Sequence, residues 1–535
     1  MLQFHSPMRT LSSAFATLAL GAAMASALPA HAQEDGEGVR RIAVDMATAG
    51  DPIDPMYTFS VGADYAGTNL RPENLAQLRT VADEIGFRYM RFHAIFHDDL
   101  GTVKLVDGQY VYDWTKIDEL YDAMLGMGIK PFVELGYTPE AMKTSDQTIF
   151  YWKGNTSHPQ HGPWRDLVDA FVRHLIERYG QEEVRSWYFE LWNEPNLDGF
   201  WENADQQAYF ELYDVTARAI KAIDPQLRVG GPATAGAAWV PEFTAFAHER
   251  GLPVDFIATH TYGVDGGFLD EMGHDDNRLS RNPDAVVQDV RKVRQEIAES
   301  PYPGIPLFIT EWSTSYNPRD PVHDSYISAA YILTKLRGVS GMAQGMSYWA
   351  YSDLFEEPGP PPTPFHGGFG LMNREGIRKP AYFAFKYLGE LEGGEIATGD
   401  TQAMATSEDG GAHVLVWDWQ RPEQEESNRP FYTTVLPTAD SKPAELRFTG
   451  LMPGDYRLTI RRVGLHANDA HTAYLEMGSP DELTPSQLAR LQAQAQDEPE
   501  REETVSVGED GSFAVTVPMR ANDVVLAELV AVAAE

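Results

Sequence analysis

The chain of 535 residues contains no cysteine. Disulfide bonds, thiol nucleophiles and cysteine-ligated metal sites are therefore excluded, and packing and hydrogen bonds alone must hold the fold. Basic residues are scarce beside acidic ones, 42 against 79, and the formal net charge is -37. Because a field of that sign repels nucleic acids and anionic lipids, neither is expected as a partner.

Long apolar runs are missing after the N-terminus. Residues 1–32 hold such a run, rich in alanine and leucine, between Arg9 and a small-x-small cleavage site formed by Ala30 and Ala32. We predict that residues 1–32 are a signal peptide and that the protein is exported to the periplasm or the medium. No later segment approaches the roughly 20 apolar residues of a membrane span, so no membrane association is expected.

Residues 56–392 alternate between two kinds of pattern. Short runs rich in β-branched and aromatic residues are separated by segments with the three-four apolar spacing of helices. There are eight such runs: "MYTFSVGAD", "FRYMRFHA", "IKPFVELG", "SWYFELWNEP", "LRVGGPA", "VDFIATHTY", "PLFITEWS" and "GMSYWAYSD". Eight strand–helix units predict an α/β fold, a closed (β/α)8 TIM barrel. A doubly wound open sheet is the alternative, disfavoured because no glycine-rich phosphate loop follows the first strand.

Residues 393–535 have a different texture, with short strand-like runs separated by turn residues. They predict a C-terminal antiparallel β-sandwich domain. Residues 33–55 contain a further strand-like stretch, "RRIAVDMATAG", which we expect to join that sandwich. The low-complexity segment "ARLQAQAQDEPEREET", at 489–504, is expected to be a solvated insertion.

Active sites of such barrels lie at the C-terminal ends of the strands, so the residues there are the candidates. Carboxylates close the fourth and seventh runs, at Glu194 and Glu311. Other polar and aromatic candidates at strand ends are His93, Tyr137, Asn193, His260, Tyr262, Trp312, Trp349, Glu356 and Glu357. Two carboxylates across a pocket with flat rings suit cleavage of a glycosidic bond, since one protonates the leaving oxygen and the other attacks the anomeric carbon.

Several stretches resemble glycoside hydrolase family 39, and within it the bacterial β-xylosidases. They include "EIGFRYMRFHAIFHDDL", "FELWNEPNLDGFW", "FITEWSTSYNPRDPVHD" and "SYWAYSDLFEEPGPPPTPFHGGFGLM". The likeness covers roughly residues 57–392, in order and with consistent spacing. The tripeptide "NEP" is common to many barrel glycosidases, whereas the last two stretches are far narrower signals.

The resemblance assigns roles to the candidates. It implies that Glu194 is the acid/base, that Glu311 is the nucleophile and that Asn193 holds the sugar 2-hydroxyl. It places an aromatic side chain, Tyr137, near the pocket entrance. The positions implied to line the sugar pocket are His93, His260, Tyr262, Trp349, Glu356 and Glu357. The chain departs from the family at Trp312 and Ser313, which bears on the substrate more than on the reaction.

We therefore expect a retaining exo-glycosidase that releases terminal β-D-xylose from xylo-oligosaccharides, with no metal and no cofactor. An α-L-arabinosidase, an α-L-iduronidase and a non-hydrolytic sugar-binding protein are the alternatives. A uronic acid substrate is disfavoured because Glu356 and Glu357 would repel its carboxylate. The charge of Glu311 and partial desolvation are expected to raise the pKa of Glu194, with the carboxyls roughly 5–5.5 Å apart. The sequence does not predict the oligomeric state.

Overall fold

A computed structural model describes residues 38–532, so the predicted signal peptide lies outside the described residues. At its centre is a closed barrel of eight parallel strands, in which the eighth strand pairs with the first. The barrel strands are Ser60–Ala63, Tyr89–Phe92, Lys130–Leu135, Tyr188–Leu191, Arg228–Thr234, Phe256–Tyr262, Leu307–Ser313 and Gly345–Tyr348. Seven of them lie within a predicted run, and the fifth extends one residue beyond its run, to Thr234, so the predicted TIM barrel is confirmed.

A long helix follows each barrel strand. These helices are Pro72–Ile85, Thr115–Gly126, His161–Tyr179, Gln206–Ile223, Val240–Arg250, Val287–Glu299, Ile327–Val339 and Pro380–Gly389. Proline starts the first and the last of them, where its missing N–H costs no helical hydrogen bond. Gly86 ends the first helix with a left-handed φ of 78°, which a residue without a Cβ adopts without strain.

The interior of the barrel is layered along its axis. At the N-terminal end it is filled by an aromatic layer, which consists of Phe59, Tyr89, Phe132, Tyr188, Phe256 and Phe308. Side chains on one face of a strand recur every two residues. Two residues after Tyr89, Phe132 and Tyr188, the same strands therefore point a charged layer into the barrel, and its members are Arg91, Glu134 and Glu190.

A β-sandwich packs beside the barrel, which confirms the predicted second domain. One sheet has six strands: Gly394–Ile396, Ala403–Glu408, Gly411–Trp417, Val524–Ala531, Gly454–Val463 and Arg501–Val507. The other has three: Arg40–Asp45, Ala444–Thr449 and Phe513–Val517. All pairings are antiparallel except that of Arg40–Asp45, which runs parallel to Ala444–Thr449. Apolar side chains of both sheets meet in one core that includes Val44, Val414 and Leu446.

The low-complexity segment at 489–504 is not the solvated insertion expected from its composition. It contains the end of helix Pro485–Ala493, whose Leu491 is buried against the barrel core, and the start of a sandwich strand. Between them, Asp497 is 7% exposed and accepts hydrogen bonds from Lys386 and Tyr387 of the last barrel helix. Despite its charged composition, this segment therefore links the β-sandwich to the last barrel helix.

The connecting loops of the described residues contain three hairpins and several short helices. The hairpins are Val103–Val106 with Gln109–Tyr112, Thr148–Ile149 with Gly154–Asn155, and Val264–Leu269 with Asp275–Leu279. Short helices are Ala66–Asn69, Gln181–Arg185, Asn428–Tyr432 and Ala470–Glu476. Within residues 38–532, no helix combines the length and the apolar character that crossing a membrane requires.

Candidate active site

A cavity of about 470 Å³ opens at the C-terminal ends of the barrel strands. Seven of the predicted site residues line it: His93, Asn193, Glu194, Tyr262, Glu311, Trp349 and Glu357. A larger cavity, of about 600 Å³, lies between the helices His161–Tyr179 and Gln206–Ile223, but it contains none of the candidate residues. We therefore assign the chemistry to the smaller cavity at the barrel mouth.

Glu194 and Glu311 face each other in this cavity. One oxygen of each carboxylate and one ring nitrogen of His260 all lie within 4.8 Å of one another. Glu311 lies in the seventh strand, whereas Glu194 follows the fourth in a turn where its own φ is 44°. This left-handed conformation is strained for a residue with a side chain, and such strain is concentrated at functional sites. The backbone N–H of Glu194 donates to the carbonyl of Ala233, which fixes the turn.

Two strong donors hold the carboxylate of Glu311. Arg91 Nη1 lies 2.7 Å from its Oε1, and the hydroxyl of Tyr262 lies 2.8 Å from its Oε2. Both oxygens therefore accept a hydrogen bond, and that from the guanidinium is charge-assisted. This arrangement stabilises a negative charge and aims it into the cavity.

Glu194 has the opposite environment. Burial raises its pKa to about 7, because its charged form loses hydration. Its Oε1 lies 2.9 Å from Nδ1 of His260, and burial lowers the pKa of that imidazole to about 3, so it is neutral. The sequence argument invoked both burial and the charge of Glu311; in the structure burial is the largest cause, and the carboxylate that contributes to the rise is that of Glu134. One carboxyl is thus protonated near neutrality beside a stabilised carboxylate, the division of roles that acid catalysis needs.

Arg91 is the centre of a buried ionic network. It is fully buried and pairs with Glu190, with Glu134 at 3.0 Å and with the carboxylate of Glu311. Its Nη2 also donates to Oδ1 of Asn193 at 2.9 Å. Because a guanidinium only donates, this bond fixes the amide orientation and leaves the Asn193 NH2 group for the cavity.

His93 connects this network to Glu357. Its Nδ1 lies 2.7 Å from Glu134, and its Nε2 lies 3.2 Å from Glu357. Burial opposes a charge on His93, but Glu134 and Glu357 outweigh it and raise the pKa of the imidazole well above its ordinary value. Burial raises the pKa of Glu357 to about 8. The site thus presents an imidazolium and a carboxyl group, a donor pair suited to sugar hydroxyls.

Four predicted site residues do not line the cavity, although one of them, His260, lies 2.9 Å from Glu194 and 3.4 Å from Glu311. Trp312 faces away from the barrel interior and packs edge-on against Tyr348, so direct sugar contact is not supported at this position. Tyr137 is not at the entrance: it is 1% exposed, beneath the cavity. Glu356 turns outward to Arg71, 2.6 Å away. His260 acts through its contact with Glu194 and does not line the cavity itself.

Sequence reasoning missed Glu190 and part of the apolar lining. Burial raises the pKa of Glu190 to about 7, even though Arg91 and Thr310 bond to it. The two-residue period of the fourth strand could have placed it inside the barrel, above Tyr188. The missed rings of the wall are Phe150, Phe200, Tyr316 and Phe369. They come from loops, where no periodicity indicates which side chain turns inward.

A metal at this site would compete with existing contacts. Glu194, His260 and Glu311 bring three ligand atoms close enough for one ion. The imidazole nitrogen is already used by Glu194, and both oxygens of Glu311 accept hydrogen bonds, one of them from a guanidinium cation. The donor set therefore suits proton transfer and charge stabilisation. The expectation of no metal and no cofactor stays a prediction.

Two carboxyl groups with divided roles, set among aromatic rings at the mouth of a (β/α)8 barrel, define a glycoside hydrolase. A family model for glycosyl hydrolases family 39 matches residues 40–514. The chain belongs to that family.

Individual relatives agree with this assignment. A β-xylosidase of Geobacillus stearothermophilus is 43% identical over 371 residues, which are 68% of this chain and 73% of the relative. The crystal structure of a family 39 enzyme from Xanthomonas axonopodis pv. citri matches with a TM-score of 0.92 and 61% identity, over 92% of this chain and 98% of that one. A monomeric β-xylosidase from Caulobacter crescentus CB15 matches with a TM-score of 0.91 and 64% identity, over 92% and 100% of the two chains.

Proposed function

We propose that the protein is a retaining exo-β-xylosidase that removes terminal β-D-xylose from xylo-oligosaccharides by double displacement. The observation that carries the proposal is the close approach of Glu194 and Glu311: one carboxylate oxygen of each lies within 4.8 Å of the other. Retaining enzymes keep their carboxyl groups about 5–5.5 Å apart, whereas inverting enzymes leave about 6.5–9.5 Å for a water molecule.

In the first step, the carboxylate of Glu311 attacks the anomeric carbon and forms a glycosyl ester. Glu194 gives its proton to the glycosidic oxygen, and the leaving sugar departs as an alcohol. The neutral imidazole of His260 positions Glu194 through the 2.9 Å contact. The NH2 group of Asn193 reaches the 2-hydroxyl, where hydrogen bonds strengthen in the transition state.

In the second step, Glu194 works in the reverse sense. It is now a carboxylate and takes a proton from water, whose oxygen attacks the anomeric carbon and releases Glu311. Arg91 and Tyr262 stabilise the carboxylate that leaves. The hemiacetal that is released keeps the configuration of the substrate.

A neutral sugar suits the cavity better than a uronic acid. The cavity lining among the described residues contains no lysine or arginine, and it includes Glu357. The imidazolium of His93, which lines the cavity, already pairs with Glu134 and Glu357. A uronate would therefore find no unpaired cation among the described lining residues, which disfavours the α-L-iduronidase alternative. The rings of Trp349, Phe150 and Phe200 offer flat surfaces to a pyranose, and the β-xylosidase relatives support xylose as that sugar.

The stereochemistry tests the mechanism. Proton NMR of an aryl β-xyloside reaction should detect β-xylose first, with the α anomer appearing later by mutarotation. If α-xylose appears first, the enzyme inverts and the double displacement is wrong.

A panel of nitrophenyl glycosides tests the substrate. We expect kcat/KM to be highest for the β-D-xyloside, lower for the α-L-arabinosides and negligible for an iduronide. Preference for an arabinoside would reassign the sugar but keep the mechanism. Saccharide binding without turnover of any glycoside would favour the non-hydrolytic alternative.

We also propose that the protein is exported, on the basis of the apolar run and cleavage site in residues 1–32. N-terminal sequencing of the protein recovered from the periplasm or the medium should begin after Ala32. Recovery of uncleaved protein from the cytoplasm would contradict export.

A further inference from the structure

A smaller cavity, of about 170 Å³, lies beside the hairpin Val264–Leu269 with Asp275–Leu279. The hairpin separates it from the active site, since Val264 lines the catalytic cavity and the next residue, Asp265, lines the smaller one. Three arginines converge on the smaller cavity, and they are Arg278, Arg281 and Arg421. They come from the hairpin, from the loop after it and from the segment that follows the sandwich strand Gly411–Trp417.

These arginines lack the partners that other arginines of the chain have. Arg91, Arg185 and Arg462 each pair with carboxylates. Among residues 38–532, by contrast, no carboxylate lies within ion-pair distance of any of the three cavity arginines. The lining also contains one carboxylate, that of Asp265, so the three arginines outnumber the acids around this small cavity. An anion bound between them would relieve the remaining repulsion among like charges.

Arg278 is oriented for such a ligand. Its guanidinium lies 4.3 Å from the ring centroid of Phe268, in a cation–π contact. Its Nε is buried and has no hydrogen-bond partner within the described part of the chain. The edges of the guanidinium, where its N–H donors lie, therefore remain for a planar anion, and a carboxylate matches that geometry.

Gln424 shows that the ligand carries donors as well as charge. Its side chain is 4% exposed, and its Nε2 donates to Asn428 at 2.7 Å. Gln424 lines the cavity, and its Oε1 is buried and has no hydrogen-bond partner in residues 38–532. An unmet buried acceptor costs free energy, and arginines around an inorganic anion would not satisfy it. A hydroxyl would, and Asp265 offers a second acceptor on the wall.

We propose that this cavity binds the carboxylate-bearing ring of a uronic acid. The three arginines bind the carboxylate, and Gln424 and Asp265 accept hydrogen bonds from ring hydroxyls. The site goes beyond the catalytic function proposed above and does not depend on it, because nothing is cleaved there. The same chemistry could come from a free sugar acid or from a uronyl branch on a longer oligosaccharide.

Isothermal titration of the full chain with sodium glucuronate tests the site. We expect saturable binding that weakens as salt is added, with no binding of glucose. The double variant Arg281→Gln/Arg421→Gln should bind glucuronate at least about tenfold more weakly, since each removes a charge-assisted contact. The matched control Arg79→Gln/Arg490→Gln changes the net charge equally at two exposed arginines and should bind like the unmodified protein.

Three results would overturn the proposal: no saturable glucuronate binding, equal affinity in the Arg281→Gln/Arg421→Gln variant, or sulfate binding as tight as that of glucuronate. Hydrolysis of an aryl β-xyloside should be unchanged in that variant, which separates this test from that of the catalytic proposal. Titrating the Glu311→Ala variant with a glucuronyl-branched xylotriose identifies the source of the ligand. Unbranched xylotriose is the reference, since the active site binds it too. Binding tighter than that of xylotriose, and weakened when Arg281→Gln/Arg421→Gln is added, indicates a branch, and binding equal to that of xylotriose indicates the free acid.

Discussion

The barrel interior contains two layers that are built by the same strands but obey opposite rules. The aromatic layer at the N-terminal end, around Phe132, is held by ring contacts such as the 5.0 Å stacking of Phe132 on Tyr188. The charged layer two residues further along is organised around Arg91, and burial there alters the protonation of several carboxyl groups. The aromatic layer stabilises the fold because it excludes water from apolar rings. In the charged layer and the catalytic pair beside it, the same exclusion of water raises the pKa of Glu190 and of Glu194.

Among the variants that test this contrast, Glu311→Ala should have the largest effect. It removes the carboxylate to which Arg91 of the charged layer donates. We expect kcat to fall by at least about 10⁴-fold for every glycoside, because no other group can form the covalent intermediate. Steady-state and single-turnover kinetics measure the loss. A residual rate within tenfold of the unmodified enzyme would mean that another residue is the nucleophile.

Glu194→Ala should have a smaller effect that depends on the substrate. We expect kcat/KM to fall about 10²–10⁴-fold with poor leaving groups and little with nitrophenolates, since activated leaving groups need no proton. With nitrophenolates kcat should still fall, because the second step loses its base. Added azide should restore deglycosylation by replacing the activated water. Uniform loss across leaving groups without azide rescue would assign the acid elsewhere.

Arg91→Met breaks the charged layer at its centre while nearly keeping side-chain volume. It leaves Glu134, Glu190 and Glu311 buried without their shared cation, so we expect a loss of about 3–5 kcal/mol in the free energy of unfolding. Urea unfolding monitored by circular dichroism measures it, and kcat should fall in the same variant. An unchanged urea midpoint would show that the ionic network around Arg91 does not stabilise the fold.

The pH profile examines the charged layer without a mutation. Since burial raises the pKa of Glu194 to about 7, kcat/KM should fall about tenfold per pH unit above that value as the acid loses its proton. The free energy of unfolding should change with pH in the same direction. The stabilising contribution of Glu194 to it is complete below about pH 4.5, the ordinary pKa of a glutamate, and is lost as the pH rises through 7. Glu194→Gln should weaken the pH dependence of unfolding in that window; an identical dependence would contradict the raised pKa.

Phe132→Leu is the matched change in the aromatic layer. It removes ring contacts but keeps an apolar side chain, so we expect a loss of about 1 kcal/mol in unfolding free energy and an unchanged kcat. Urea midpoints and kinetics on an aryl β-xyloside measure both. A large fall in kcat would mean that the two layers are mechanically coupled, and the distinction drawn between them would fail.

Local signals were sufficient for the architecture. The eight barrel strands match the predicted runs to within one residue at Thr234, because burial and strand periodicity act over a few residues. The same holds for Glu194 and Glu311, since a carboxylate at the end of an apolar strand is conspicuous. The segment 489–504 was misjudged because composition predicts solvation, whereas the long-range partners of Asp497 fold it.

By itself, then, the sequence determined the strand and helix order of the barrel, the strand-rich pattern of the C-terminal part and the carboxyl groups that end the fourth and seventh runs, because each is encoded in neighbouring residues. The tertiary structure alone decided that Trp312 turns away from the sugar pocket, that Glu356 pairs with Arg71 and that Glu190 joins the network of Arg91. It also supplies the burial that raises the pKa of Glu194, the residue that the sequence proposed as the acid. Protonation depends on desolvation and on charges brought from distant strands, and those arise only when the barrel closes.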